Sequence, residues 1–189
     1  MQQIINIIDK NEIDKVSYDE ADFTYIFEIY YKRVYNYIYY RINSHYWAED
    51  LTSQIFEKVM TRINTYNKEK APFEVWLFGI AKNVVNDYFR DLKKHKTFPM
   101  DTIKELVSSK KSPEDIIEIK ETNGELLQDL KILDMREQNI VALKFGANLK
   151  NVEIAEILNL TESNVGVILY RTMKKLKKEL EKGSKYEKK

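Results

Sequence analysis

The chain contains no cysteine, and its 189 residues include only three prolines, five glycines and two histidines. Without thiols there are no disulfides, no thiolate metal sites and no cysteine chemistry. Few breakers are present, and apolar residues recur every three or four positions, so an all-α fold is predicted. No apolar run approaches the ~20 residues that span a bilayer. Met1-Gln2-Gln3 lacks the charged start of a secretory signal. A cytoplasmic protein with no membrane insertion is the expectation. Equally absent are a glycine-rich phosphate loop, metal-ligand spacing and a nucleophile with a neighbouring base, and His45 and His95 stand alone. Neither an enzyme nor a cofactor-binding or metal-binding protein is expected.

Neither sign of charge is in large excess, the formal net charge being +1, but its distribution is uneven. Arg90, Lys93, Lys94 and Lys96 form one basic cluster and residues 171–189 another, while 114–121 is mostly acidic. Two separated basic patches fit a two-point hold on a long polyanion. Hydrophobic residues at 43% and charged residues at 32% suit a globular chain.

Apolar periodicity divides the chain into helices. Residues 1–18 hold a short helix or arm. Residues 22–45 form a helix whose Phe23, Ile26, Phe27, Tyr30, Val34, Tyr37, Ile38 and Ile42 share a buried side. That aromatic stripe is read as core, since base stacking requires exposed rings. The next helix, 47–63, buries Leu51, Ile55 and Val59, with Phe56 and Met60 beside them and then Ile63. Its outer side carries Glu49, Asp50, Ser53, Gln54 and Glu57, a docking face or solvated polar surface. After a polar loop, 64–71, Pro72 opens a helix over 73–96 that mixes aromatics with Lys82, Asn83, Asn86, Arg90, Lys93 and Lys94. Amides, cations and rings on one helix are what contacts to phosphate and base require. Residues 97–112 lose periodicity and mark a domain boundary. Helices follow over 114–133 and 136–145, the latter ended by Gly146.

Residues 151–181 read as a helix-turn-helix. Ile154, Ile157 and Leu158 share one face of a short helix, and Ala155 admits a close crossing. Asn159 tolerates the left-handed conformation, Leu160 plugs the corner and Thr161 caps the next helix. There Val165, Leu169, Met173, Leu176 and Leu180 form an apolar stripe, opposite Val167, Arg171, Lys174 and Lys178. The same pattern fits a helical hairpin with a solvated basic face.

Both halves together resemble bacterial RNA polymerase sigma factors of the sigma-70 family, extracytoplasmic-function type. The resemblance rests on Ala48-Glu49-Asp50-Leu51-Thr52 through Phe56, on residues 73–90, on Arg136-Glu137-Gln138 through Phe145, on Glu153 to Leu158, and on residues 165–175. It implies two small helical domains joined by a linker: 1–96 for promoter melting and polymerase binding, 97–112 as linker, and 113–189 as a helix-turn-helix domain with a basic C-terminal tail. It also implies three partners: core RNA polymerase, promoter DNA in duplex and melted nontemplate form, and an anti-sigma factor. Polymerase would meet Asp50, Ser53, Gln54, Phe56 and Glu57, with Phe56 alternatively in the core. The minus-ten element would meet Asn64, Lys68, Lys82, Asn83, Asn86, Arg90, Lys93 and Lys94. The minus-thirty-five element would meet Thr161, Ser163, Asn164, Val167, Tyr170, Arg171, Lys174 and Lys175. Family members commonly place a basic residue at the position of Gly166 and arginine at that of Ile168, and glutamine at that of Ser53. The rival readings are a stand-alone helix-turn-helix regulator and an all-helical interaction protein without DNA.

Overall fold

A computed structural model describes residues 20–95 and 130–186, and every regular element among them is helical. The first half holds α1 (Glu20–Ile42), α2 (His45–Arg62) and α3 (Phe73–His95). The second holds α4 (Met135–Val141), a π turn (Ala142–Gly146), α5 (Asn151–Leu158) and α6 (Glu162–Tyr186). The expected arm at 1–18, the boundary at 97–112 and most of the helix expected from 114 lie outside the described residues.

Local chemistry sets the helix ends. Asn43 adopts a left-handed φ of 55°, closing α1. Ser44 then caps α2, its hydroxyl accepting from Trp47 N. Asp134 accepts from the backbone N–H groups of Arg136 and Glu137, while Glu137 reaches back to Asp134 N, a capping box that starts α4. Asn159, at φ 54°, ends α5, and Thr161 accepts from Asn164 N at 3.2 Å to open α6. The chain does leave its helix at Gly146, but the left-handed residue is Asn148 at φ 55°.

Residues of both halves form one core. Ile26, Tyr30, Val34, Tyr37 and Ile38 of α1 meet Leu51, Ile55 and Val59 of α2 and Leu77, Phe78 and Ala81 of α3. The same cluster continues into Ile140, Leu143, Ala147, Leu149 and Ile157 of the second half. Phe27, expected inside, stands at the rim at 38% exposure, and Met60 lies outside. In α6 the buried row is Val165, Leu169, Thr172 and Leu176, while Met173 and Leu180 are exposed. Strict 3.6-residue periodicity favours Thr172 over Met173 at that position. No described helix is long and apolar enough to cross a membrane.

Burial raises the pKa of several tyrosines. Tyr37 is pushed up to about 12 by burial, against the opposing pull of Arg41 nearby. Tyr35 is pushed up to about 12 by burial and by Glu49, and Tyr30 is raised by burial and by Glu74. An unfolded tyrosine ionises near pH ~10, so folding is favoured below that value and the advantage is lost as pH rises toward the folded pKa. Stability should therefore fall from pH ~10 to ~12. Tyr37→Phe should flatten that fall while costing about 1 kcal/mol at neutral pH. Urea midpoints measured across this range test it, and an unchanged slope would show that Tyr37 ionises as freely as in the unfolded chain.

Candidate nucleic-acid interface

The C-terminal end of α2 and the middle of α3 enclose a cleft of about 480 Å³. Lys58 and Arg62 line it from α2, and Asn83, Asn86, Asp87 and Arg90 line it from α3, over a floor of Ile80 and Val84. Three cations face one carboxylate, and Asp87 pairs with Arg90 at 3.0 Å where both are well exposed. Such a cleft offers phosphate oxygens a positive field and bases an amide. Lys93 and Lys94 continue the exposed side of α3, with Lys94 3.7 Å from Asp91.

The sequence reading of α2 rests on Glu49, Asp50, Ser53, Gln54 and Glu57 and does not include Lys58 and Arg62. Their four-residue spacing at the helix end is the signal that marks one shared face.

The loop between α2 and α3 is anchored at the edge of the cleft. Thr65 donates to Arg62 O at 2.7 Å, and Asn67 Oδ1 accepts from Glu69 N at 2.8 Å, fixing an Asx turn. Tyr66 sets its ring edge-on to Phe73 at 5.2 Å and tilted against Trp76 at 5.6 Å. Asn64 and Lys68 lie exposed on this loop.

Lys82 does not join the cleft. It sits one residue before Asn83, about 100° round the helix, and its Nζ donates to Ile157 O in the second half at 2.9 Å.

On α2, Asp50, Ser53, Gln54 and Glu57 form a separate polar surface. Asp50 accepts from Gln54 Nε2 at 2.8 Å, and Ser53 donates to Glu49 O. Phe56 is turned away from it, buried beside Phe23, Phe27 and Tyr31 with ring centroids 4.8–6.4 Å away. Its place is in the core, between α1 and α2. Beside the polar surface a second groove, of about 330 Å³, is lined by Trp47, Leu51, Gln54, Tyr88 and Leu92 among others.

In the second half α6 exposes Thr161, Ser163, Asn164, Val167, Tyr170, Arg171 and Lys174 along one side, with Tyr170 at 70% exposure. A helix offered this way, preceded by a tight left-handed turn, has the form that enters a major groove. Lys175 is drawn off this side, pairing with Glu137 of α4 at 3.0 Å. A Cβ added at Gly166 would lie 4.0 Å from Asn151 Nδ2, an ordinary contact, and Ile168 packs on the core. The packing of Ile168 accounts for an uncharged residue at that position.

The geometry has counterparts in known proteins. Residues 26–95 match the family described as Sigma-70 region 2, and residues 130–178 that described as Sigma-70, region 4. The chain is 30% identical over 165 residues to the ECF RNA polymerase sigma factor BldN of Streptomyces coelicolor, covering 87% of this chain and 62% of that one. It is 29% identical over 153 residues to the ECF RNA polymerase sigma factor SigM of Bacillus subtilis, covering 80% of this chain and 91% of that one. The solved structure of CnrH in complex with the cytosolic domain of CnrY shares the fold, with a TM-score of 0.64 at 17% identity over 91% of this chain and 94% of that one. With both regions matched in order, the chain belongs to the sigma-70 family, in its extracytoplasmic-function type.

Proposed function

We propose that this chain is a sigma factor: a non-catalytic specificity subunit that binds core RNA polymerase, recognises a minus-ten and a minus-thirty-five element, and directs transcription initiation. One observation carries the reading. A single chain holds two exposed cation-bearing faces in different halves, the α2–α3 cleft and the α6 side, together with a distinct acid- and amide-bearing surface on α2. A stand-alone reader needs only α6. A partner that does the chemistry gives the α2 surface a purpose.

The roles divide by chemistry. Asp50, Ser53, Gln54 and Glu57 meet polymerase. Asn64 and Lys68 of the loop, with Asn83, Asn86 and Arg90, hold the opened nontemplate strand, since unpaired bases need hydrogen bonds and phosphates need cations. Lys58 and Arg62 join them as phosphate contacts. Asn164 and Val167 meet base edges in the upstream duplex, an amide suiting adenine and a methyl-bearing side chain the thymine methyl, while Arg171 and Lys174 grip its backbone. The chain works in the cytoplasm, where polymerase and DNA are, and an anti-sigma factor restrains it.

The decisive experiment mixes purified chain with core polymerase and a promoter library. Transcripts should start only when both proteins are present. Specific protection of duplex by the chain alone, with nothing added to polymerase, would instead make it a stand-alone regulator.

At the α2 surface, Asp50→Lys should weaken polymerase binding about tenfold or more, ~1.4 kcal/mol per tenfold, with the helical signal unchanged. Equal affinity would remove Asp50 from the interface. Arg62→Ala and Arg171→Ala should each weaken DNA binding across all sequences and reduce the slope of log affinity against log salt by about 1. A slope that stays put in either variant would show that its arginine touches no phosphate.

A further inference from the structure

Gly79 stands inside α3, away from either end of the helix. A glycine there weakens the helix, because its unfolded backbone has more freedom to lose than any other residue's. At Gly146 that cost has an offset in the packing, since an added Cβ would lie 3.0 Å from backbone atoms of α1. Gly166 has Asn151 Nδ2 at 4.0 Å from the position of a Cβ. Gly79 has neither: a Cβ built on it meets nothing within 4 Å, and its φ is not positive. Alanine would fit there without strain, so neither backbone conformation nor internal packing calls for the missing side chain.

Its surroundings point outward. At about 100° per residue, Asn83, Asn86 and Arg90 fall within roughly 40° of Gly79 round α3, and all three line the α2–α3 cleft. Gly79 therefore continues that strip by one turn toward the loop. Trp76, three residues earlier and half-buried, adjoins it on the helix surface. Its indole is braced by Tyr66 at 5.6 Å and Phe73 at 5.5 Å. The result is a notch with bare helix backbone as its floor, a fixed ring on one side and the exposed Asn83 amide on the other.

The chemistry of the notch selects its occupant. Its floor and ring wall are uncharged and apolar, and the amide both donates and accepts hydrogen bonds. A flat, uncharged group with polar edges suits it, which describes a nucleobase rather than a phosphate. Phosphates find cations elsewhere in the cleft, at Lys58, Arg62 and Arg90, the last about 16 Å further along α3 at ~1.5 Å per residue.

We propose that Gly79 is a base-seating residue: one unpaired base of the opened nontemplate strand lies flat on the Gly79 backbone, against Trp76, with its polar edge on Asn83. A base still in the duplex has both faces covered by its neighbours and cannot lie on the helix until it leaves the stack. The seat thus favours the melted strand over the paired one. The inference rests on the sigma-factor reading for the identity of the strand, whereas the preference for unpaired bases is a property of the chain itself.

A side chain at this position should move stability and binding in opposite directions. Gly79→Ala should raise the melting temperature by about 2–4 °C, alanine being the better helix former. It should also weaken binding of an unpaired strand roughly fivefold or more, the low end of what one stacked base contributes. Gly79→Leu should weaken it further. Binding is measured for the chain with core polymerase on a forked promoter whose nontemplate minus-ten strand is unpaired, and for the chain alone on a mixed-sequence single-stranded oligonucleotide. A fully paired upstream duplex should bind wild type and variants equally. An abasic sugar placed at each forked position in turn should, at one position, weaken the wild type and leave Gly79→Ala unchanged. The seat is overturned if Gly79→Ala binds the unpaired strand as tightly as wild type, if no abasic position distinguishes the two, or if the upstream duplex is weakened to the same degree. Failure of the chain to start transcripts with core polymerase would sink the sigma-factor reading, and the oligonucleotide arm would still decide the seat. Absence of wild-type binding to unpaired DNA in both arms overturns it.

Discussion

At Gly146 the backbone of the second half comes against the backbone of α1, so close that an added Cβ would lie 3.0 Å from backbone atoms of Asn36 and Tyr37 and force them to give way. Much of the packing follows from it. Because the π turn sits this close, Leu143 and Ile140 reach the same core as Tyr37 and Phe78, and α1 is buried on two sides instead of one. Each large apolar side chain so enclosed contributes about 1.5–3 kcal/mol. The π turn itself, with Ala147 N bonded to Ala142 O, leaves Ala147 O pointing at Arg33. A steric vacancy of one carbon thus sets both the shared core and the polar seam around it.

The chemistry of that seam matters as much as its shape. A guanidinium or ammonium bonded to a carboxylate is held strongly, whereas a carbonyl acceptor offers less and has no charge to leave unpaired when the bond breaks. Arg41 illustrates the balance. It is only 6% exposed, its pKa is lowered by burial, its Nε lacks a protein partner, and its cationic face rests 5.1 Å from the Phe89 ring. A buried cation without a carboxylate gains by returning to water. Arg33 differs, its Nη1 lying 3.8 Å from the Glu74 carboxylate, so of the cations bonded across the halves it is the better compensated.

Features with short-range causes were legible in the sequence. Asn159, Leu160 and Thr161 announced a turn because left-handed tolerance, corner plugging and capping are all local, and the fold reproduces each of them. The polar α2 surface and the exposed side of α6 followed from helical periodicity. What escaped was decided by residues distant in the chain. Lys82 looks like its neighbours until Ile157, 75 positions away, is placed beside it. Lys175 reads as one more cation of α6 until Glu137 pairs with it. Phe56 lies on the buried side of α2, and only the rings of Phe23 and Phe27 show how it is covered. Thr172 and Met173 are adjacent, and hydrophobicity points to Met173 where angular position points to Thr172.

The chain's two tryptophans occupy neighbouring parts of the first half. Trp47 packs on Tyr88 beside the apolar groove, and Trp76 lies under Tyr66 at the root of the loop. The protein's tryptophan fluorescence is therefore a report from the first half alone. Events on α6 leave tryptophan emission untouched unless they travel through the shared core, so tryptophan emission that responds to an upstream duplex would itself be a measure of how far one half senses the other.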